Sequence, residues 1–405
     1  MPRHLSLLLT SLAVVAAADA ALAQSPRTVR PNIILIISDD HGYADYGFMG
    51  HQTVQTPHLD RIAAQGLLYT RGYVMPVCSP SLASLLTGQL PHRHGITGND
   101  LATPPAPVAG KGQRFPLSDR LLRNSVLLPR ALTEAGYLTF QSGKLWNTSF
   151  RDVGFTHGMT ATPGRHGDAG LAIGRKGLQP LFDFMDDART QGKPFFVWYA
   201  PMLPHGPHDP PEDILRKYLG RGPTPAAEKY YAMVEWFDET CGQLLEYLSA
   251  KGLTQDTLVV YVGDNGWIQK PDGPGFAPRS KQSPNEGGVR QPTMFSWPGV
   301  IQAGKRGEQL CSSVDIVPTA LAAADAAIPE GLPGYNLLPI LKSGQPTPRT
   351  AVFGETFAHD VANIDKPEDS LLYRWVIEGQ WKLLLTYDGR VGRYAQHHSR
   401  TERRP

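Results

Sequence analysis

Apolar side chains recur along this chain in two periods, and the alternation between them sets out its plan. Asn32-Ile33-Ile34-Leu35-Ile36-Ile37-Ser38 is an unbroken, β-branched run, the pattern of a strand buried on both faces. The same character returns at 67–74, 137–142, 194–200 and 257–262. Stretches with helical spacing lie between these runs, at 56–64, 81–86, 126–136, 178–189, 226–250 and 313–324. Thr56 is placed to cap the first of them with Pro57 at its first position, and Gly136 to stop the third. Strands alternating with helices predict an α/β fold, a mostly parallel central sheet sandwiched by helices. The pattern changes after about residue 335, where two apolar runs, 371–377 and 381–387, flank Glu378-Gly379-Gln380 and predict an antiparallel hairpin in a small C-terminal sheet.

The first 23 residues do not fit this plan. Arg3 and His4 precede an apolar run over 5–18, and Ala21-Leu22-Ala23 forms a small-x-small cleavage site before Gln24, so residues 1–23 read as an export signal peptide. The mature protein is expected in the periplasm or outside the cell. No other apolar run approaches the ~18–20 residues of a membrane span. A length of 405 residues suggests a large domain over 31–335 and a smaller antiparallel subdomain over 336–405. Apolar content of 41% and charged content of 19% are those of a globular protein, and a net charge of +2 argues against a nucleic-acid partner or a strongly electrostatic membrane binder. The 41 glycines and 36 prolines, set among recurring apolar runs, indicate long structured loops around a site. Of the cysteines at 78, 241 and 311, an exported chain could pair two; Cys241 and Cys311 read as core residues, and no zinc spacing is present.

Chemically capable residues follow one buried run after another: Asp39 and Asp40, Lys144, His205, then Asp264 and Asn265. In a parallel sheet the carboxyl ends of the strands share one edge, where open α/β sheets bind ligands. Singly, each residue is an ordinary turn or cap. Together, Asp39, Asp40, Asp264 and Asn265 offer only oxygen ligands, which suits Ca²⁺ or Mg²⁺, and two adjacent buried acids need such a cation or a hydrogen-bond network. Adding Lys144, His205 and Lys281 makes a pocket for a tetrahedral oxyanion, with His205 a candidate general acid. Cys78 stands at a helix start, whose unpaired N–H groups favour an anion, although a small buried thiol is the plainer reading of it alone. His92, His94 and the insertion over 101–115 are expected to rim the pocket.

These motifs resemble the formylglycine-dependent (type I) sulfatases of the alkaline phosphatase superfamily, from Pro31 to the C-terminal hairpin. Pro31-Asn32-Ile33 through Asp39-Asp40 resembles the family's opening strand and metal pair, and Asp264-Asn265 its second metal pair. Cys78-Ser79-Pro80-Ser81 followed by Leu85-Leu86-Thr87-Gly88 resembles the signature whose cysteine a maturation enzyme oxidises to formylglycine. Gly143-Lys144, Pro204-His205, and Lys281 with Glu286-Gly287-Gly288 resemble its two lysine motifs and its leaving-group histidine.

The resemblance implies that Asp39, Asp40, Cys78, Asp264 and Asn265 hold the metal, Ca²⁺ or Mg²⁺. It assigns catalysis to Cys78, Lys144, His205 and Lys281, and substrate binding to Lys144, His205, Lys281 and His94. The implied activity is hydrolysis of a sulfate monoester, on a sulfated carbohydrate or an aryl sulfate. One hydroxyl of the hydrated aldehyde attacks sulfur, His205 protonates the departing alcohol, and loss of the second hydroxyl's proton expels sulfate. Two alternatives remain open: a degenerate relative that binds sulfated ligands without turnover, and a phosphodiesterase or phosphonate hydrolase on the same scaffold. The sequence departs from the family pattern at Leu82, where an arginine is expected, and at Trp146, where a histidine is expected. It also ends at Arg403-Arg404-Pro405, ahead of the ending the family leads one to expect, which reads as truncation.

Overall fold

The computed structural model describes residues 30–102, 118, 125–145, 148–161 and 169–390. The segments 1–23 and 391–405, Trp146 and all but two residues of the expected 101–115 insertion lie outside the described residues. Through the main body run β1 (Asn32–Ser38), β2 (Leu67–Tyr73), β3 (Asp100–Leu101), β4 (Leu138–Gly143), β5 (His157–Gly158), β6 (Phe195–Ala200), β7 (Thr257–Gly263), β8 (Arg290–Ser296) and β9 (Lys305–Ser312). All except β3 form one eight-stranded sheet in the order β5-β4-β6-β1-β7-β8-β2-β9. Only β8 runs against its neighbours; the other pairs are parallel.

The period-two alternation within the unbroken runs divides the core into two layers. Ile33, Leu35 and Ile37 of β1, with Leu258, Val260 and Val262 of β7, pack beneath the helices Cys78–Thr87, Leu128–Glu134 and Ile316–Ala323. Ile34 and Ile36, with Val259 and Tyr261, face the helices Pro57–Ala64, Gln179–Thr190 and Pro225–Ala250 on the opposite side. Each large apolar side chain so buried contributes roughly 1.5–3 kcal/mol. That burial on both faces is why the central strands read as solid apolar runs rather than alternating ones.

Beyond residue 335 the chain builds an antiparallel sheet of β10 (Ala351–Phe357), β12 (Leu371–Glu378) and β13 (Trp381–Thr386). Tyr73, Leu310, Val352, Trp375 and Ile377 form a shared cluster that fixes this sheet against the ends of β2 and β9. The two-residue strand β11 (Asp360–Val361) pairs in parallel with β3 and ties the C-terminal region back to the main body.

Local details differ from the sequence reading. Thr56 does not cap its helix by bonding a following N–H; its hydroxyl accepts from Gly47 N (2.8 Å) and donates to Asp60 (2.9 Å). The free N–H groups of His58 and Leu59 go instead to the carboxylate of Asp238, at 3.1 and 2.7 Å. The 91–99 loop contains a one-turn helix, Pro91–His94. All three cysteines are free and buried, so none is paired in a disulfide.

Candidate active site

The carboxyl edge of the sheet gathers the polar residues that follow its strands. β1 leads into Asp39, whose N–H bonds Leu203 O (2.9 Å), and β7 leads into Asp264, whose N–H bonds Ser38 O (2.8 Å). Asp40 sits at φ 60°, a left-handed backbone that short polar residues tolerate, and its N–H donates to Asp264 Oδ1 at 3.2 Å. At the end of β4, Gly143 has φ 76°, and a Cβ there would lie 1.9 Å from Ala200 O. Only glycine fits that crossing, and it delivers Lys144 to the site. The helix Cys78–Thr87 begins on Cys78 itself and ends at Gly88, whose φ of 66° forms the left-handed cap.

The charged groups interlock. Lys144 Nζ bridges both oxygens of Asp39 at 2.7 Å and reaches Asp264 Oδ2 at 3.5 Å. Lys281 Nζ lies 2.6 and 2.8 Å from the oxygens of Asp40 and 3.3 Å from Cys78 Sγ. The same sulfur donates to Asn265 Oδ1 (3.2 Å), while Asn265 Nδ2 donates to Asp40 Oδ1 (2.8 Å). His205 Nε2 is 3.4 Å from Asp40 Oδ2, and its Nδ1 is 2.6 Å from Gly206 O. With Nδ1–H donated to that carbonyl, Nε2 is the atom presented to the site.

Burial opposes the charge of every acid here, and the outcome depends on the neighbours. For Asp39 and Asp40 it is outweighed, chiefly by Lys144 and Lys281 respectively, and both carboxyls are held below the usual carboxylate range. For Asp264 burial prevails, reinforced by Asp39, and its carboxyl is pushed up to about 8. Two ammonium groups balance the ionised carboxyls of Asp39 and Asp40, and ionising the third buried carboxyl, Asp264, calls for further positive charge. Donor atoms of Asp39, Cys78 and Asp264 lie within 4.8 Å of one another, as do those of Asp39, Asp40 and His205. This oxygen-rich, anionic set fits a hard divalent cation. Burial also pushes the Cys78 thiol up to about 12, so the sulfur is a poor nucleophile as it stands. Burial depresses the basicity of His205, with Asp39 and Asp40 partly restoring it.

A cavity of about 750 Å³ opens from this cluster, with Asp40, His205 and Lys281 at its polar end. Trp267 and Phe276, with ring centroids 5.4 Å apart, form an aromatic wall, and Lys229 and His208 also line the cavity. His94 does not reach this cavity. It is fully buried, with Nε2 3.2 Å from Ser84 Oγ and Nδ1 accepting from Ile96 N (3.1 Å), because its one-turn helix packs beside the helix Cys78–Thr87. His92 lines a separate cavity and bonds Glu355 at 3.0 Å. Leu82, one turn beyond Cys78, belongs to the apolar layer at 1% exposure.

The structure also brings in residues that sequence reading passed over. Trp267 follows the Asp264-Asn265 pair by two positions, and His208 follows His205 by three, so extending each strand-end motif by one turn finds them. His359 reaches the cavity from the C-terminal region, which sequence analysis read only as a hairpin.

Comparison with known proteins places this geometry in context. The Sulfatase family model matches residues 31–326, and the model described as N-sulphoglucosamine sulphohydrolase, C-terminal, matches 280–389. Arylsulfatase A of Homo sapiens is 32% identical over 395 residues, covering 85% of this chain and 73% of its own. N-acetylgalactosamine-6-sulfatase of Canis lupus familiaris is 32% identical, covering 84% and 70%. Among solved structures, Ps i-CgsB in complex with k-i-k-neocarrahexaose superposes with a TM-score of 0.71 at 25% identity, over 88% of this chain and 84% of that one.

Proposed function

The chain belongs to the sulfatase family, and from that premise we propose that it hydrolyses a sulfate monoester using a formylglycine derived from Cys78. The observation that carries the proposal is the position of Cys78 Sγ, 3.3 Å from Lys281 Nζ and 3.2 Å from Asn265 Oδ1, beside three buried carboxyl groups. Asp39, Asp40, Asp264, Asn265 and the modified Cys78 would hold Ca²⁺ or Mg²⁺. When bound, that ion would acidify the nucleophilic hydroxyl and offset the negative charge of the sulfate. Formylglycine, once hydrated, would supply that hydroxyl together with a second one whose deprotonation releases sulfate.

This chain's own residues carry the remaining work. Lys144 and Lys281 bind the sulfate oxygens and stabilise charge as it builds in transfer. With Nδ1–H held by Gly206 O and the charge of the doubly protonated ring offset by Asp39 and Asp40, His205 gives its Nε2 proton to the departing alcohol. The Trp267–Phe276 wall suits the apolar face of a sugar or an aryl ring, and a cavity of about 750 Å³ has room beyond a single ring. The structure of a relative bound to k-i-k-neocarrahexaose supports a carbohydrate substrate. We assign catalysis mainly to 31–335, with 336–405 as an adjunct. We infer export from the leader over 1–23; among the described residues no helix is long and apolar enough to cross a membrane.

Leu82 supports a second reading, in which Cys78 stays a thiol and the protein binds sulfated ligands without turnover. Sulfate release from an aryl sulfate and from sulfated oligosaccharides, assayed with Ca²⁺ on protein made in the natural host, separates the two. Turnover supports the hydrolase; binding without release under any metal supports the second reading.

A further inference from the structure

The helix that starts on Cys78 has no side-chain cap from its own N-cap residue, Val77. Its early N–H groups therefore need partners from elsewhere. Ser79 N, adjacent to the nucleophile position, donates to Asn99 Oδ1 at 2.9 Å. That bond fixes the orientation of the Asn99 amide, so Nδ2 is the atom 3.1 Å from His359 Nε2. An amide nitrogen only donates, so His359 Nε2 accepts and the ring proton lies on Nδ1, directed at Asp360 Oδ1 at 2.7 Å. The main chain repeats the link, since Asn99 N donates to His359 O at 2.9 Å and β3 pairs with β11. Ser79, Asn99, His359 and Asp360 are each no more than 6% exposed, so water competes little for these bonds.

We propose that His359 and Asn99 are positioning residues for the Cys78 turn, through which the C-terminal region orients the nucleophile of the sulfatase site. The inference rests on the reading of Cys78 as the nucleophile's origin, but its structural half stands independently. His359 sets the rotamer of Asn99, Asn99 holds the Ser79 N–H, and that N–H fixes the first helical turn, so an error at His359 is passed to the residue that attacks sulfur. A nucleophile displaced by a fraction of an ångström loses rate rather than substrate affinity.

The test compares wild type with His359→Leu, His359→Gln and Asn99→Leu, using kinetics on an aryl sulfate and amide hydrogen exchange of a peptide spanning 77–82. Leu removes the acceptor; Gln can return an amide oxygen to Asn99. Loss of a supporting partner of this kind costs roughly 10–100-fold in activity. His359→Leu and Asn99→Leu should lower kcat by that factor with KM within about twofold, and should speed exchange at Ser79, while His359→Gln recovers most of both. Unchanged kcat and exchange in folded His359→Leu, or an equal loss in His359→Gln, would overturn the proposal. If the leucine variants do not accumulate, His359→Ala takes their place: lower kcat and faster Ser79 exchange in His359→Ala than in His359→Gln support the relay, and equal behaviour of the two contradicts it. If wild type shows no turnover, the nucleophile reading fails, and exchange at Ser79 still supports or overturns the relay.

Discussion

His205 shows how much one side chain's surroundings decide. Its Nδ1 is committed to Gly206 O, its Nε2 lies 3.4 Å from Asp40, and burial depresses its basicity. A proton donor matters most when the leaving alcohol is a poor one. His205→Gln should therefore lower kcat on a sulfated sugar by roughly 10²-fold or more, and far less on an aryl sulfate with an acidic phenol, as parallel kinetics on the two substrates would reveal. Asp39, Asp40, Lys144, His205, Asp264 and Asn265 were legible because each follows a solid apolar run, and a parallel sheet carries all such ends to one edge. His94 misled for the opposite reason. A histidine in a polar loop reads as surface, but here both ring nitrogens are satisfied internally and the ring is buried. Its basicity is lowered from an ordinary 6.5 to about 3. Across that window the unfolded chain binds a proton the folded chain refuses, so this contribution is intact above about pH 6.5 and is lost as pH falls towards 3, at roughly 1 kcal/mol per unit. Thermal midpoints measured at neutral and mildly acidic pH should converge more closely in His94→Gln than in wild type.

The helix Cys78–Thr87 joins chemistry to packing. All ten of its residues are buried, with Leu82, Leu85 and Leu86 in the apolar layer beneath β1 and β7. Leu82→Ala should cost about 2–5 kcal/mol, read from denaturant unfolding, because the tightly packed layer cannot close over the cavity. Apolar periodicity gave the body of this helix, but it could not reveal that Asn99, twenty residues on, caps its start. The same limit applies to Asp238, which caps the helix Pro57–Ala64 from a distant helix. Long-range caps leave no local spacing to read. Strand β9 escaped notice for a different reason: Lys305, Arg306, Glu308 and Gln309 are exposed on a sheet edge and break the apolar run.

At the scale of the molecule, the mostly parallel sheet followed from strands alternating with helices, whereas the reversed direction of β8 depends on pairing that no single segment encodes. The sheet's edge concentrates the carboxyls of Asp39, Asp40 and Asp264, and ionising all three needs more positive charge than Lys144 and Lys281 supply. Chelation should therefore abolish sulfate release and lower the thermal midpoint together, and Ca²⁺ or Mg²⁺ should restore both; a midpoint indifferent to chelation would count against the ion. The account turns, finally, on the chemical state of one atom. Mass spectrometry of the tryptic peptide containing Cys78, from protein produced in its natural host, should find the aldehyde of formylglycine in place of the thiol. An intact thiol throughout, in protein that releases no sulfate, would contradict the account.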